Sequence, residues 1–209
     1  MPGRNVVGLV LVVAVFFVAS ALAVPQWPLQ WQSEFNFVNV SNRVLLNYGS
    51  YHFKSDGKTT QLRIDNFNCP VGDRSFFCRV IFARDTNCYL YAPERNNLCC
   101  LLVPGLLATG PNWLHNATFL GIKEYQHQKT NAWLNTPNKD IYYETLKTKT
   151  AASDPVALAD SSTALEWNTF RRGAQSDSLF AMPRDGSCQK PCHFSRTVEL
   201  PLVPFISAQ

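Results

Sequence analysis

A mainly β fold is what this sequence predicts: curved antiparallel sheets forming a sandwich or half-barrel, with one or two short helices. Three observations carry that prediction. Short runs rich in β-branched and aromatic residues recur along the chain with turn residues between them. Where a run is long enough to show a pattern, as in Gln61-Leu62-Arg63-Ile64-Asp65, apolar and polar side chains alternate with the period of a half-buried strand. Helical signals are confined to two short, weakly patterned stretches, and many short strands with little helix favour antiparallel sheets.

In chain order, residues 43–48 and 49–53 read as the first strands. Ser55-Asp56-Gly57-Lys58 is a hairpin turn, because Asp-Gly supplies the positive φ of a tight connection. Residues 59–65 form its second arm. Residues 75–83, aromatic and β-branched, follow as a strand, and 88–91 and 98–103 as two more. Residues 118–125 and 131–134 pair around a polar link at 126–130. Residues 140–148 contain Ile-Tyr-Tyr, which favours strand over helix, and 165–170 and 178–182 close the series. The best helical stretch is 155–164, with Asp154 placed as N-cap and Pro155 at the first helical position. A second helical segment is expected between residues 104 and 116.

The N-terminus speaks to compartment. One basic residue, Arg4, precedes an almost unbroken apolar run at 6–18, and Ala21-Leu22-Ala23 provides the small-x-small cleavage pattern. Residues 1–23 therefore read as a signal peptide, with the mature chain starting at or near Val24. An uncleaved anchor is the alternative, since the run approaches the ~18 residues that span a bilayer. Residues 24–192 then form a single disulfide-bonded β domain and 193–209 a C-terminal tail. The net charge is +4 and its charges are scattered, with no Lys/Arg block, which excludes a nucleic-acid partner.

In an oxidising compartment the cysteines, Cys69, Cys78, Cys88, Cys99, Cys100, Cys188 and Cys192, read as disulfide partners, and seven leaves one over. Cys78 and Cys88 are expected to bridge a hairpin. Cys188 and Cys192 are expected to be bridged, together or to earlier cysteines. Cys99 and Cys100 are adjacent, so strand alternation sends them to opposite faces and to different partners, unless one is free. Asn39 and Asn116 head the sequons Asn39-Val40-Ser41 and Asn116-Ala117-Thr118, both glycosylation candidates in a secreted chain.

No catalytic constellation stands out, and a non-enzymatic protein is expected. His52, His115, His127 and His193 fall in no metal-ligand spacing, and there is neither a G-x-S-x-G elbow nor a Gly-rich phosphate loop. No metal or cofactor site is expected. Asp140 and Glu144, four apart, read as solvated charges. What remains is aromatic content. Phe77, Phe82, Phe119, Trp133, Tyr142 and Trp167 lie on or near expected strands, with Ile122 among the other bulky apolar side chains. Ordinary β-core packing accounts for most of them. The functional alternative is a concave apolar surface for a lipid or other apolar small molecule, with Lys123 and Arg171 at its rim.

The order of landmarks resembles ependymin-related proteins. Tyr48-Gly49-Ser50-Tyr51, the Asp56-Gly57 turn and Leu62-Arg63-Ile64-Asp65 look like that family's early hairpin. Cys69, Cys78 and Cys88, then Gly121, Trp133, Tyr142-Tyr143 and Pro155 follow in order, and Phe180-Ala181-Met182-Pro183 with Cys188 is similar to its ending. The likeness covers roughly residues 43–192. His52-Phe53-Lys54 stands where the family has an Asp, and Ala132 where it has a cysteine. The resemblance implies two curved antiparallel sheets around a deep hydrophobic pocket, a secreted or lysosomal glycoprotein, a homodimer, lipid binding and an association with calcium. The alternatives are an extracellular adhesion or interaction module without a ligand, and a secreted hydrolase with a dispersed active site.

Overall fold

The computed structural model describes residues 24–69, 76–84, 87–136, 139–147, 152–183 and 187–193. The expected leader at 1–23 lies outside them, as does the expected tail beyond His193.

Alternation begins earlier than the expected strands. Trp31, Ser33, Phe35 and Phe37 point one way from β1 (Gln30–Asn39), a strand the residue types at 43–53 overshadow. The two runs at 43–48 and 49–53 are one strand, β2 (Leu45–Ser55), which the Asp56-Gly57 turn joins to β3 (Thr60–Asn66). β4 (Cys78–Phe82), β5 (Cys88–Ala92) and β6 (Leu98–Val103) continue a simple meander. A second meander follows: β7 (Thr118–Tyr125), β8 (Gln128–Asn135), β9 (Asp140–Thr145), β10 (Pro155–Ala159) and β11 (Thr163–Trp167). β1 and β11 pair antiparallel and zip the two meanders into one open sheet, ordered β6-β5-β4-β3-β2-β1-β11-β10-β9-β8-β7, with a short β12 (Arg171–Arg172) also on β1. The fold is mainly β as expected, but its strands make one continuous sheet.

Both helical expectations are corrected. Residues 155–164 are the β10–β11 hairpin. Asp154 does not cap a helix but pairs with Arg172, and it is Asp160 that organises the segment, accepting from the backbone N–H of Ser162 and Thr163 to close a tight turn. Residues 104–116 form successive i→i−3 turns, such as Trp113 N–H to Gly110 and His115 N–H to Asn112. The run at 178–182 is no strand: Asp177–Phe180 is a 3₁₀ turn, with Ser176 as its cap.

The main core lies on one face, here the inner one. Trp31, Phe35, Tyr51, Phe53, Ile64, Val80 and Leu90 from the first meander meet Trp133, Tyr142, Leu158 and Leu165 from the second. Each such side chain contributes about 1.5–3 kcal/mol on burial. The connection between β6 and β7 folds over this face with Ala108 and Leu114, and Trp27 plugs it. The Trp27 ring lies edge-on to Trp31, Phe53, Trp113 and Trp167 at 5.0–5.8 Å. Its indole N–H donates to the Tyr142 hydroxyl at 3.2 Å.

On the outer face residues 173–183 and 187–192 act as a strap on the first meander. Lys54 bridges to Asp177 at 2.8 Å and donates to the Gln175 carbonyl, and Arg63 donates to the Leu179 carbonyl. Disulfides Cys99–Cys188 and Cys100–Cys192 fasten the strap to β6, one from each face of the strand, and backbone bonds between Leu101 and residues 190 and 192 seal that edge. The third disulfide is Cys69–Cys78. The expected Cys78–Cys88 bridge does not form. In the β4–β5 register Cys88 sits opposite Phe82, so Cys78 lies four residues away along the hairpin, roughly 13 Å at strand rise. Cys88 stays a buried free thiol whose pKa burial pushes up to about 12.

Candidate functional site

Six aromatic positions were candidates for a ligand surface, and the structure sorts them into three groups. Phe82, Trp133, Tyr142 and Trp167 are buried within the inner-face cluster. Phe77 stands apart from it, beside Phe67 at 5.8 Å and under the Arg79 guanidinium at 5.4 Å. Phe119, on the edge strand β7, keeps one side against Trp133 at 4.8 Å and is 38 % exposed.

The centre of the inner face is full. A side chain lining a void that admits water keeps accessible surface, yet Trp31, Tyr51, Phe53 and Tyr142 each retain under 2 %. What occupies the concavity is the chain itself, through Trp27 and Leu114.

The β7–β9 end is different, and register shows why. A bulge between Phe119 and Gly121 shifts the β7–β8 pairing by one residue. Phe119 therefore faces Trp133 and Tyr142, while Ile122 faces Asn131 and Glu144, all on the inner face. Ile122 is 60 % exposed, whereas Glu144 is only 7 % exposed. Glu144 Oε1 accepts from Trp133 Nε1 at 3.1 Å and from Asn131 Nδ2 at 3.5 Å. Burial pushes this carboxyl above the usual carboxylate range, against the pull of those two donors. The expectation of solvated charges at Asp140 and Glu144 is thus corrected: on a strand, residues four apart share a face, and here that face is the buried one. A carboxyl held in this way can accept a hydrogen bond or, protonated, donate one, next to exposed apolar surface.

Sequence reasoning found Phe119, Ile122, Trp133 and Tyr142, but passed over Glu144 and Asn131. The signal available was parity: Tyr142 and Glu144 are two apart on a strand, so a buried Tyr142 takes Glu144 with it. Lys123 falls on the opposite face from Ile122, with its strand partner Thr130, and Arg171 pairs with Gln32 on β1, so neither lies beside this site. The histidines are dispersed: His52 contacts Gln175, His127 sits in the β7–β8 turn near Glu124, and His115 and His193 are exposed. Among the described residues no three His, Cys, Asp or Glu side chains are grouped to hold a metal, and no helix is long and apolar enough to cross a membrane. Three disulfides fit an oxidising compartment.

No protein-family model matches the chain, and no curated protein matches it.

Proposed function

We propose that this chain is a secreted, non-catalytic domain that binds a hydrophobic or amphiphilic small molecule at the β7–β9 end of its inner face. The observation that carries the reading is the juxtaposition of exposed Phe119 and Ile122 with the buried, hydrogen-bonded Glu144 on one face. Apolar surface with one fixed polar group is the composition of small-molecule sites, where the apolar part supplies affinity and the polar part orientation. The ligand's tail rests on Phe119 and Ile122, and its polar group meets Glu144. The likeness to ependymin-related proteins points the same way, and the expected leader with three disulfides supports secretion.

A second reading has its own support. The filled centre suits an extracellular interaction module that takes no ligand.

Native mass spectrometry of the secreted protein separates the two. The binding reading expects an apolar small molecule retained by the wild type and lost from the F119S/I122S double variant, with secretion little changed because Ile122 is mostly solvated and Phe119 packs on one side only. Trp133→Ser, by contrast, is expected to lower secretion, since emptying a buried tryptophan site costs about 3–5 kcal/mol. Wild-type protein that carries no small molecule leaves the interaction module as the better account, and a double variant that still retains one overturns the assignment of the site to Phe119 and Ile122.

A further inference from the structure

The β1–β2 hairpin end exposes four aliphatic side chains within seven residues. Val40, Val44, Leu45 and Leu46 are each more than a third exposed, and they are neighbours: Asn39 N–H donates to the Val44 carbonyl, and Val38 pairs with Leu45. Contiguous patches of this kind are normally covered by something.

The same turn contains a sequon. Asn39 Oδ1 accepts three local hydrogen bonds, from the Ser41 backbone N–H at 3.0 Å, the Ser41 hydroxyl at 2.7 Å and the Asn42 backbone N–H at 3.3 Å. All three lie within three residues, so the turn is held largely by its own side chains. It gathers the donors on the carbonyl oxygen and so sets the amide's two sides apart.

We propose that Asn39 carries an N-linked glycan and that this glycan is what covers the Val40–Leu46 patch. The attachment is a group transfer in the secretory pathway. The Asn39 amide nitrogen attacks the anomeric carbon of a pyrophosphate-linked oligosaccharide and a C–N bond forms. The C–O bond to pyrophosphate breaks, pyrophosphate leaves with the bonding pair, and the nitrogen loses one proton. The first sugars then lie over side chains one to seven residues away. The occupant is tethered at the patch itself, so coverage needs no affinity of its own. The inference rests on the secreted reading above, and is independent of the ligand at Glu144.

The test compares secreted wild type, Asn39→Asp, and Asn39→Asp combined with V44S/L45S. Aspartate keeps the turn's acceptor oxygen and cannot be glycosylated, so the fold is preserved while the glycan is absent. Peptide mapping of wild type is expected to show a glycan on Asn39, and the same digest to show Cys99–Cys188 and Cys100–Cys192 in all three proteins. Asn39→Asp is expected to bind anilinonaphthalene sulfonate about twofold or more over wild type, and the serine pair to reverse that gain. Unmodified Asn39 in a fully disulfide-bonded secreted protein overturns the proposal while sparing secretion. Dye binding unchanged in Asn39→Asp overturns the shielding. Glycosylated wild type that binds phosphatidylcholine vesicles or self-associates, and stops doing so on V44S/L45S substitution, assigns the patch to a membrane or a second copy instead.

Discussion

The two meanders of the sheet are built on the same pleat but secured differently. In β1–β6 every disulfide touches the meander, the outer face is strapped by Lys54–Asp177 and Arg63, and the β6 edge is covered by residues 190–192. In β7–β11 there is no cysteine at all. Its outer face is closed instead by small residues, Ala132, Ala157 and Ala164, shielded where Tyr125 and Tyr143 lie 4.6 Å apart and the Tyr125 hydroxyl donates to Glu166 at 2.5 Å, with Arg43 completing the cluster. Its edge strand β7 leaves Phe119, Leu120 and Ile122 to solvent. One half invests in covalent and ionic fastening; the other keeps an accessible edge, and the candidate site lies there. The contrast predicts that equivalent changes have unequal effects in the two halves.

The largest difference is expected from one substitution made twice. At Gly49 in β2 a Cβ would meet the Asp65 carbonyl oxygen at 1.7 Å and the Phe35 ring at 2.9 Å, between paired strands that cannot separate. Gly49→Ala is expected to cost more than about 4 kcal/mol and to abolish secretion. At Gly121 in β7 a Cβ meets nothing within 4 Å, and only the positive φ of 94° penalises it. Gly121→Ala is expected to cost about 1–2 kcal/mol and to be secreted. Equal secretion of the two variants contradicts this account of the halves.

Within the fastened half the staples are also unequal. Cys99–Cys188 closes a separation of 89 residues and Cys69–Cys78 one of 9. Cys100–Cys192 closes almost the same loop, so the strap's chain entropy is lost only when both of its disulfides are replaced by serines, at about 4–5 kcal/mol or more, against about 2–3 kcal/mol for Cys69–Cys78. Urea unfolding of the strap quadruple variant and the Cys69/Cys78 double variant measures the gap. A midpoint that falls equally in both would mean that the strap's ion pairs and backbone bonds, rather than its cross-links, hold the β6 edge.

How much of this was legible depends on the length scale that decides each feature. Strands announced by residue type, such as β4, β6 and β7, were readable, because branched and aromatic side chains suit a pleat locally. The divergence of Cys99 and Cys100 was readable too, being a consequence of alternation alone. β1 was not singled out, because Gln30, Gln32 and Glu34 dilute its aromatic positions and only its pairing with both β2 and β11 makes those positions a core. The 155–164 helix was misread since Asp154 and Pro155 suit a helix start equally well as a turn into a strand; the turn at Asp160 and pairing with β9 decide it. Glu144 was missed because burial is a property of its neighbours Trp133 and Asn131 on the next strand.

Protonation should move the two halves in opposite directions. Burial raises the Glu144 carboxyl above its ordinary value of 4.5, so the folded state holds that proton more tightly than the unfolded chain. Its contribution to stability is fully present below pH 4.5 and is lost as pH rises through the folded value. Glu144→Gln keeps an acceptor for Trp133 and removes that loss, so its advantage over wild type should be greatest at neutral pH and vanish below 4.5. Asp177 in the strap is lowered from 3.8, first by its hydrogen bond from Lys54, so its contribution is present above 3.8 and lost as pH falls through the folded value. Melting temperatures across pH for Glu144→Gln and Asp177→Asn check both slopes. The exposed Asp177 should show the weaker one.

The smallest effect is expected at the β7–β8 turn. Its two central residues, Gln126 and His127, both hold positive φ, 48° and 63°, the geometry of a two-residue type I′ connection. Neither residue favours that region, whereas Asn-Gly adopts it readily. The side-chain contact given up is His127 to Glu124 at 3.5 Å, between groups open to solvent, where an ion pair contributes little. Replacing Gln126-His127 by Asn-Gly should therefore stabilise the protein by about 0.5–1 kcal/mol and slow amide exchange along β7 and β8. The turn is at the far end of β7 from Phe119, and Ile122 keeps its register with Asn131, so retention of a small molecule should be unchanged. Retention that fell while exchange slowed would show that the edge hairpin must open for the ligand to enter, and that the loosely fastened half is mobile in use rather than merely uncovered.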